Sequence, residues 1–465
     1  MKSYIDILTA CIFTVIFFCF IFLTRKTKTF KNFAVSDNSI GLFLIFMSFS
    51  ATFIGPGFSM ALVNQGNKTG LFYLLIAGFY GLAKIVEGQF FAPKIRERFS
   101  DALSIGDIIA GKKTHNNKYL QILVGIISFG LLIGFSTVLT KAGGEILNGL
   151  FGIPRSLGMI IMTSVVVFYS FFGGIKATIM TDAFQLILFF ILFIFLYLSF
   201  FTKGITFDQI SGNITTLTNN AFATTTVYQV IGLITTWFFG EMLIPPTINR
   251  IISTKSVVIS KKGLIFSGIF MIIWLIVMLY LGVLAKSVYP DIEASDQLLI
   301  VIAKNQLNYG LYGVFAVAIV GIVMSSQDSL VNAGATVFTN DIYGVFKKLN
   351  DTHKLYLART ATILIGICSI IFALYLPSIL EGLLLVYSFW APAILVPLFA
   401  SIFLHKWSWK SATASMLTGI VVSLVWGNFS ISQYIPTIFA GLFFSCISYF
   451  IIFIIDVKLK RWSVI

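Results

Sequence analysis

The sequence predicts an all-α integral membrane protein with about thirteen transmembrane helices, and three observations predict it. Of its 465 residues 58% are hydrophobic and 11% charged, where a soluble domain carries about 25% charge. The mean hydropathy of +0.95 leaves too little polar surface to enclose a core in water. Apolar runs recur along the whole chain at a length suited to a hydrocarbon layer about 30 Å thick, which roughly 20 helical residues cross. A helix satisfies its own backbone groups where no water is available, so it is the element such runs form.

In order, the runs occupy 4-23, 40-63, 70-92, 118-140, 157-173, 181-201, 225-247, 262-286, 308-336, 356-377, 380-404, 411-427 and 434-455. The first is too long for a signal-peptide core and no small-x-small cleavage site follows it, so it reads as a helix. The connections at 93-117 and 202-224 are each about 25 residues, too short for a separate core. Both are expected to hold short helices beside the bundle.

Basic residues orient the spans. The connections starting at Arg25, Lys94, Lys176, Arg250, Lys347, Lys406 and Lys458 hold 24 of the 32 Lys and Arg residues. The intervening ones hold Lys2, Lys68, Lys141, Arg155, Lys203, Lys286 and Lys304, and Lys84 lies within a span. The positive-inside rule then places the amino terminus outside and the carboxyl terminus in the cytoplasm, in a plasma membrane of the bacterial inner-membrane kind. The net charge of +14 is this topology signal and not a nucleic-acid footprint. Cys11, Cys19, Cys368 and Cys446 sit in apolar runs as small hydrophobes, and His115, His353 and His405 lie in polar connections far from any Cys. No disulfide framework, zinc site or haem site is expected.

Charges at bilayer depth cost about 2.5 to 3.5 kcal/mol even on the mildest scale, so four acids in or beside spans stand out: Glu87, Asp182, Glu241 and Asp328. Glu87 follows Lys84 at i+3, a spacing for an internal ion pair with a structural role. Asp182 opens the sixth span, where an N-cap is its plain reading. The ninth span carries Ser325-Ser326-Gln327-Asp328-Ser329, then Asn332, Thr336 and Thr339, a polar stripe at helical spacing. Such hydroxyls converge on a small hard cation when neighbouring carbonyls join them, or else hydrogen-bond between helices.

Two spans carry breaks, Ser50-Ala51-Thr52-Phe53-Ile54-Gly55-Pro56-Gly57-Phe58-Ser59 in the second and Gly240 through Pro245-Pro246 to Arg250 in the seventh. Irregular backbone at this depth is tolerated where it is buried or lines a cavity. The breaks are five helices apart, which fits a five-plus-five inverted repeat built round a transport site. The chain then divides into a peripheral first helix and cytoplasmic linker (1-39), a first repeat (40-201), an extracellular connection (202-224), a second repeat (225-404), and two peripheral helices with a cytoplasmic tail (405-465). No nucleophile, base or metal cluster with catalytic spacing accompanies them, so an enzyme is not expected.

These residues resemble the sodium:solute symporter family, inverted-repeat transporters of the leucine-transporter type that include sodium-coupled carriers of sugars, proline, sialic acid, pantothenate and iodide. The likeness covers nearly the whole chain and is most specific at Gly173-Gly174 with Thr181-Asp182 and Gln185, at Ser325-Ser326 through Asp341-Ile342-Tyr343, at Pro245 with Arg250, and at Pro93 to Arg98. It implies a main sodium site of the Ala51, Ile54 and Ile322 carbonyls and the Ser325 and Ser326 hydroxyls. It also implies a second cation at Asp182, Ser326, Asp328 and Ser329. Asp328 departs from the family, standing where a hydroxyl is often found; a carboxylate there strengthens an ion site, binds a proton or pairs with a base.

The resemblance further implies a solute pocket at Phe53, Gly55, Phe58, Tyr73, Ala77, Phe239, Glu241, Tyr387 and Phe389. Sugar carriers resemble one another in an Asn where Phe53 stands, and sialic-acid carriers clamp a carboxylate with a fourth-span Arg absent here. Glu241 suits an ammonium group or a polyol, which favours a small amino acid or similar zwitterion. The expected activity is sodium-driven solute uptake by alternating access, with sodium as coupling ion, no other cofactor, and the lipid bilayer as surroundings. A proton-coupled carrier or a transporter-like nutrient sensor are the rivals.

Overall fold

The computed structural model describes residues 4–24, 27, 29–111, 116–201, 207–291, 295–347, 349–404 and 408–462. His115, His405, Lys2, Arg25, Lys203 and Lys406 lie outside them. Among the described residues the chain is helical throughout, and the only strand-like pairing is a bridge between Ile40 and Thr254. Each of the thirteen apolar runs falls on a helix or on a pair of helices. Nine described helices are long and apolar enough to cross a membrane singly, or up to eleven if each of two bent pairs is one span. The first apolar run forms the helix Tyr4–Thr24, of which the stretch Tyr4–Val15 counts as a shorter apolar helix, and Trp409–Val425 has 17 residues.

Leu42–Phe53 and Phe58–Thr69 meet at a bend of 54°. The polar-rich segment Asp208–Thr224 turns 105° from Val227–Phe239 and ties itself to the bundle through Thr218 Oγ1, which accepts from Leu71 N at 3.1 Å, and Asn213 Nδ2, which donates to Ser287 Oγ at 2.9 Å. The expected short helices therefore form in this connection and, as Ala92–Arg98 and Ile105–Ala110, in the earlier one.

The centre of the bundle is Leu311–Val337, in which every residue from Gly321 to Val337 is buried. Its wealth of Gly, Ala and Ser lets several helices approach at once, the usual basis of close packing inside membranes. Close approach is clearest between Pro56–Thr69 and Val257–Val288. A Cβ on Gly66 would stand 2.1 Å from the Leu279 carbonyl oxygen, and one on Gly282 would stand 2.2 Å from that of Val63. Backbone cannot yield as a side-chain tip can, so Gly282→Val is expected to lose about 3 kcal/mol, read as a lower midpoint of thermal unfolding in detergent. Gly78→Ala, where a Cβ meets nothing within 4 Å, should leave the midpoint unchanged.

Candidate functional site

The first break follows from one proline. Pro56 has no amide hydrogen, so the Thr52 carbonyl four residues earlier loses its helical donor. Ser326 Oγ, on the central helix, donates to that oxygen at 3.4 Å. Gly55 turns the chain beside it, and a Cβ there would stand 2.6 Å from Ser326 Oγ. Ser59 secures the turn by donating to the Ile54 carbonyl at 2.7 Å while accepting from Trp274 Nε1 at 3.0 Å. The carbonyl end of Leu42–Phe53, with its partial negative charge, thus faces Ser326 of the central helix, and Ala51, Ile54, Ile322 and Ser325 are all fully buried.

Arg250 organises the next cluster. From the buried helix Pro245–Ser253 its Nη2 donates to Thr52 Oγ1 at 2.7 Å, Ser329 Oγ at 2.6 Å and Asp182 Oδ2 at 3.1 Å, and its Nε donates to Ser48 Oγ at 2.8 Å. Asp182 also accepts from Ser48 through Oδ2 and from Ser325 through Oδ1. It is therefore a buried counter-charge and not a simple N-cap. Asp328 accepts from Thr178 Oγ1 at 3.1 Å and from Ser329 Oγ at 3.3 Å. The guanidinium thus holds Asp182 and Ser329 directly, with Ser325 joined through Asp182 and Asp328 through Ser329, while Ser326 is turned to Thr52. In their ordinary ionised forms two acids and one base leave this cluster one negative charge.

The second break has the same cause twice over. Pro245 and Pro246 remove the donors that the carbonyls of Glu241 and Met242 would have used, and Leu243 between them adopts a left-handed φ of 52°. Each freed oxygen finds a substitute: Lys84 Nζ donates to the Glu241 carbonyl at 2.9 Å and Trp390 Nε1 to that of Met242 at 2.9 Å. Left alone, each buried carbonyl would cost about 1–3 kcal/mol. Lys84 also makes the anticipated i+3 pair with Glu87 at 2.8 Å, fully buried.

Between the two breaks lies a small cavity of about 50 Å³, walled by Phe53, Gly55, Phe58, Glu241 and Tyr387 from the expected set. Thr52, Ser326, Phe135, Leu139, Leu330, Leu383, Ile244 and Tyr80 complete it. Glu241 Oε2 accepts from the hydroxyls of Tyr80 and Tyr387, the latter at 2.6 Å. Other expected residues stand back from it: Tyr73 accepts from Trp237 Nε1 at 3.1 Å behind the wall, Ala77 is buried, and Phe239 and Phe389 are half-buried outside the lining.

Sequence reasoning missed Arg250 as the partner of Asp182, and missed Tyr80, which sits one helical turn before Lys84. The signal was present in both cases: an arginine after a proline pair, and a tyrosine at i−4 from an intramembrane lysine. Asp341, a motif residue, does a different job. Its carboxylate accepts from Ser104 Oγ at 2.5 Å, Gly106 N at 3.2 Å and Gln121 Nε2 at 3.2 Å, anchoring the end of the central helix to the segment after the third span. Gln121 also donates to Asp107 at 3.0 Å, and burial pushes the Asp107 carboxyl above its ordinary range.

Comparison with known proteins agrees with this architecture. The chain is 26% identical over 427 residues, 86% of its length and 81% of the relative's, to sodium/proline symporter 2 of Staphylococcus saprophyticus. It is 24% identical over 422 residues, 86% of its length and 84% of the relative's, to the osmoregulated proline transporter OpuE of Bacillus subtilis. Its fold superposes with a TM-score of 0.83 on the substrate-bound outward-open state of a Na+-coupled sialic acid symporter, at 17% identity, covering 99% of this chain and 98% of that one. A nucleobase-cation-symport-1 family transporter in a closed conformation shares the fold more loosely, with a TM-score of 0.58 at 13% identity over 92% of this chain and 94% of that one. The profile of the sodium:solute symporter family matches residues 33–419. With two helices interrupted by prolines around a buried cavity and a Ser-rich helix beside them, the chain is an integral membrane transporter, not an enzyme, and belongs to the sodium:solute symporter family.

Proposed function

We propose that the protein is a sodium-coupled symporter that imports a small amino acid or similar zwitterion by alternating access. The observation that carries this reading is the meeting of the first break with the central helix, where Ser326 Oγ reaches the freed Thr52 carbonyl at 3.4 Å beside buried Ala51, Ile54, Ile322 and Ser325. Carbonyls of Ala51, Ile54 and Ile322 with hydroxyls of Ser325 and Ser326 make an uncharged oxygen set, suited to a monovalent ion that must also be released. Sodium there bridges the broken helix to the central one and favours the substrate-competent state. A second cation belongs on Asp328 with Ser329, since Asp182 has Arg250 as partner while the cluster keeps one negative charge; a proton is the alternative occupant.

The solute lies in the cavity between the breaks, lined by Phe53, Gly55, Phe58, Glu241 and Tyr387. The helix Pro56–Thr69 starts between Gly55 and Phe58, which line the cavity, and a helix start favours an anion where Glu241 favours a cation, a pairing that suits a zwitterion. The breaks are the equivalent points of a five-plus-five inverted repeat, 40-201 and 225-404. The basic connections face the cytoplasm. A membrane potential of about 100 mV then drives each sodium inward with roughly 2.3 kcal/mol.

Thermal unfolding of the purified protein in sodium against potassium tests the reading without knowledge of the solute. Sodium at a hundredfold excess over its Kd should stabilise by about 2.7 kcal/mol, and Ser326→Ala should lose most of that shift. Equal midpoints in the two salts would refute sodium coupling, and a shift that follows acidity instead would assign the coupling to protons.

A further inference from the structure

Glu241 is the chemically odd member of the cavity. Its neighbours there are Phe53, Phe58, Tyr80, Phe135 and Tyr387, and its own polar contacts are the tyrosine hydroxyls on Oε2, both neutral donors. The nearest base, Lys84, is committed: its ammonium pairs with Glu87 at 2.8 Å, both side chains fully buried, and reaches Glu241 only at the backbone carbonyl. Lys84 also lies 4.4 Å from the centre of the Phe53 ring and 5.4 Å from that of Tyr80. Written as ions, Lys84, Glu87 and Glu241 carry one negative charge in excess, which a cation beside Glu241 offsets. A buried carboxylate without a cation is strongly disfavoured.

The walls point the same way. Phe58 stands edge to face with Tyr80 at 5.2 Å and with Trp237 at 5.4 Å between ring centres, and Phe135 and Tyr387 are tilted against each other at 5.7 Å. Aromatic rings around one acid attract a positive nitrogen through their negative faces while accommodating its alkyl groups. They offer little to a polyol, which needs many hydrogen bonds. The wall has no basic side chain to receive a carboxylate.

We infer that the cavity recognises its solute by a positively charged, alkyl-substituted nitrogen held between Glu241 and the surrounding rings, so that compact organic ammonium compounds bind even without a carboxylate. This rests on the symport reading and names its substrate class. The solute supplies the missing cation, and Tyr80 and Tyr387 hold Glu241 in place to meet it.

The test is thermal stabilisation of the full chain in saturating sodium by choline, by glycine betaine, by proline, and by 3,3-dimethylbutan-1-ol, in which a carbon replaces the nitrogen of choline at nearly unchanged shape. The three ammonium probes should shift the midpoint, with the neutral isostere at least about tenfold weaker, a difference worth 1.4 kcal/mol. Glu241→Gln, which keeps an oxygen for both tyrosines, should weaken choline by a similar factor. Equal binding of choline and its neutral isostere in the wild type overturns the inference whether or not the variant folds. So does a sodium shift with no response to any ammonium probe, and so does undiminished choline binding by folded Glu241→Gln. Absence of the sodium shift in wild type is instead the failure of the symport reading.

Discussion

Arg250→Met is expected to destabilise the protein by about 3–5 kcal/mol, because it leaves the Asp182 carboxylate buried without its counter-charge. The size follows from burial: the side chains of Arg250 and Asp182 are 2% and 0% exposed, so water cannot replace the lost partner. Arg250 also serves Ser48, Thr52 and Ser329, and these hydroxyls lose a donor at the same time. Asp182→Asn alone should cost less, since its amide oxygen still accepts from one of Ser48 and Ser325 and its nitrogen can donate to the other hydroxyl. The double variant, which removes both charges, should recover a large part of the loss; additive losses in thermal unfolding would show that the two residues do not act as a pair. Sodium-dependent uptake should fall with Arg250→Met even where folded protein is recovered, because Arg250 holds Thr52, next to the carbonyls proposed for the ion.

Asp328→Asn should change ion stoichiometry while leaving the fold largely intact. Asp328 is held by hydroxyls of Thr178 and Ser329, which an amide can also engage, so the loss of stability should be about 1 kcal/mol. The loss of charge is the larger event, because the Asp182, Asp328 and Arg250 cluster then becomes neutral and has no electrostatic reason to take a cation. With a second sodium on Asp328, the Hill coefficient for sodium in uptake assays should fall from near two to near one. If Asp328 carries a proton instead, the sodium dependence should stay unchanged and the dependence of uptake on external pH should disappear.

Legibility in the sequence differed between elements for physical reasons. The thirteen apolar runs were readable because burial in lipid requires about 20 apolar residues whatever the partner, and all of them fall on helices. The breaks at Gly55-Pro56 and Pro245-Pro246 were readable because proline lacks a donor in every context. Lys84 and Glu87 were readable as a pair because they share one helix. In contrast, the contact between Asp182 and Arg250, 68 residues apart, depends on how two helices pack, and no local pattern encodes that. Phe389 shows the converse, an aromatic residue on the right helix whose phase differs from that of Tyr387, while Tyr73 shares the face of Tyr80 but lies two turns further along the helix, behind the lining.

By itself the sequence determined the class of the protein, the apolar runs that become its helices, and the family resemblance, since each depends on local composition or on residues with intrinsic backbone constraints. Only the tertiary structure decided where the freed carbonyls of Thr52, Glu241 and Met242 find donors, that Arg250 neutralises Asp182 and leaves Asp328 in excess, and that Tyr80 and Tyr387 converge on Glu241. Each of those depends on distances between helices remote in sequence, and a buried charge or carbonyl is satisfied by whatever three-dimensional packing brings within about 3 Å of it.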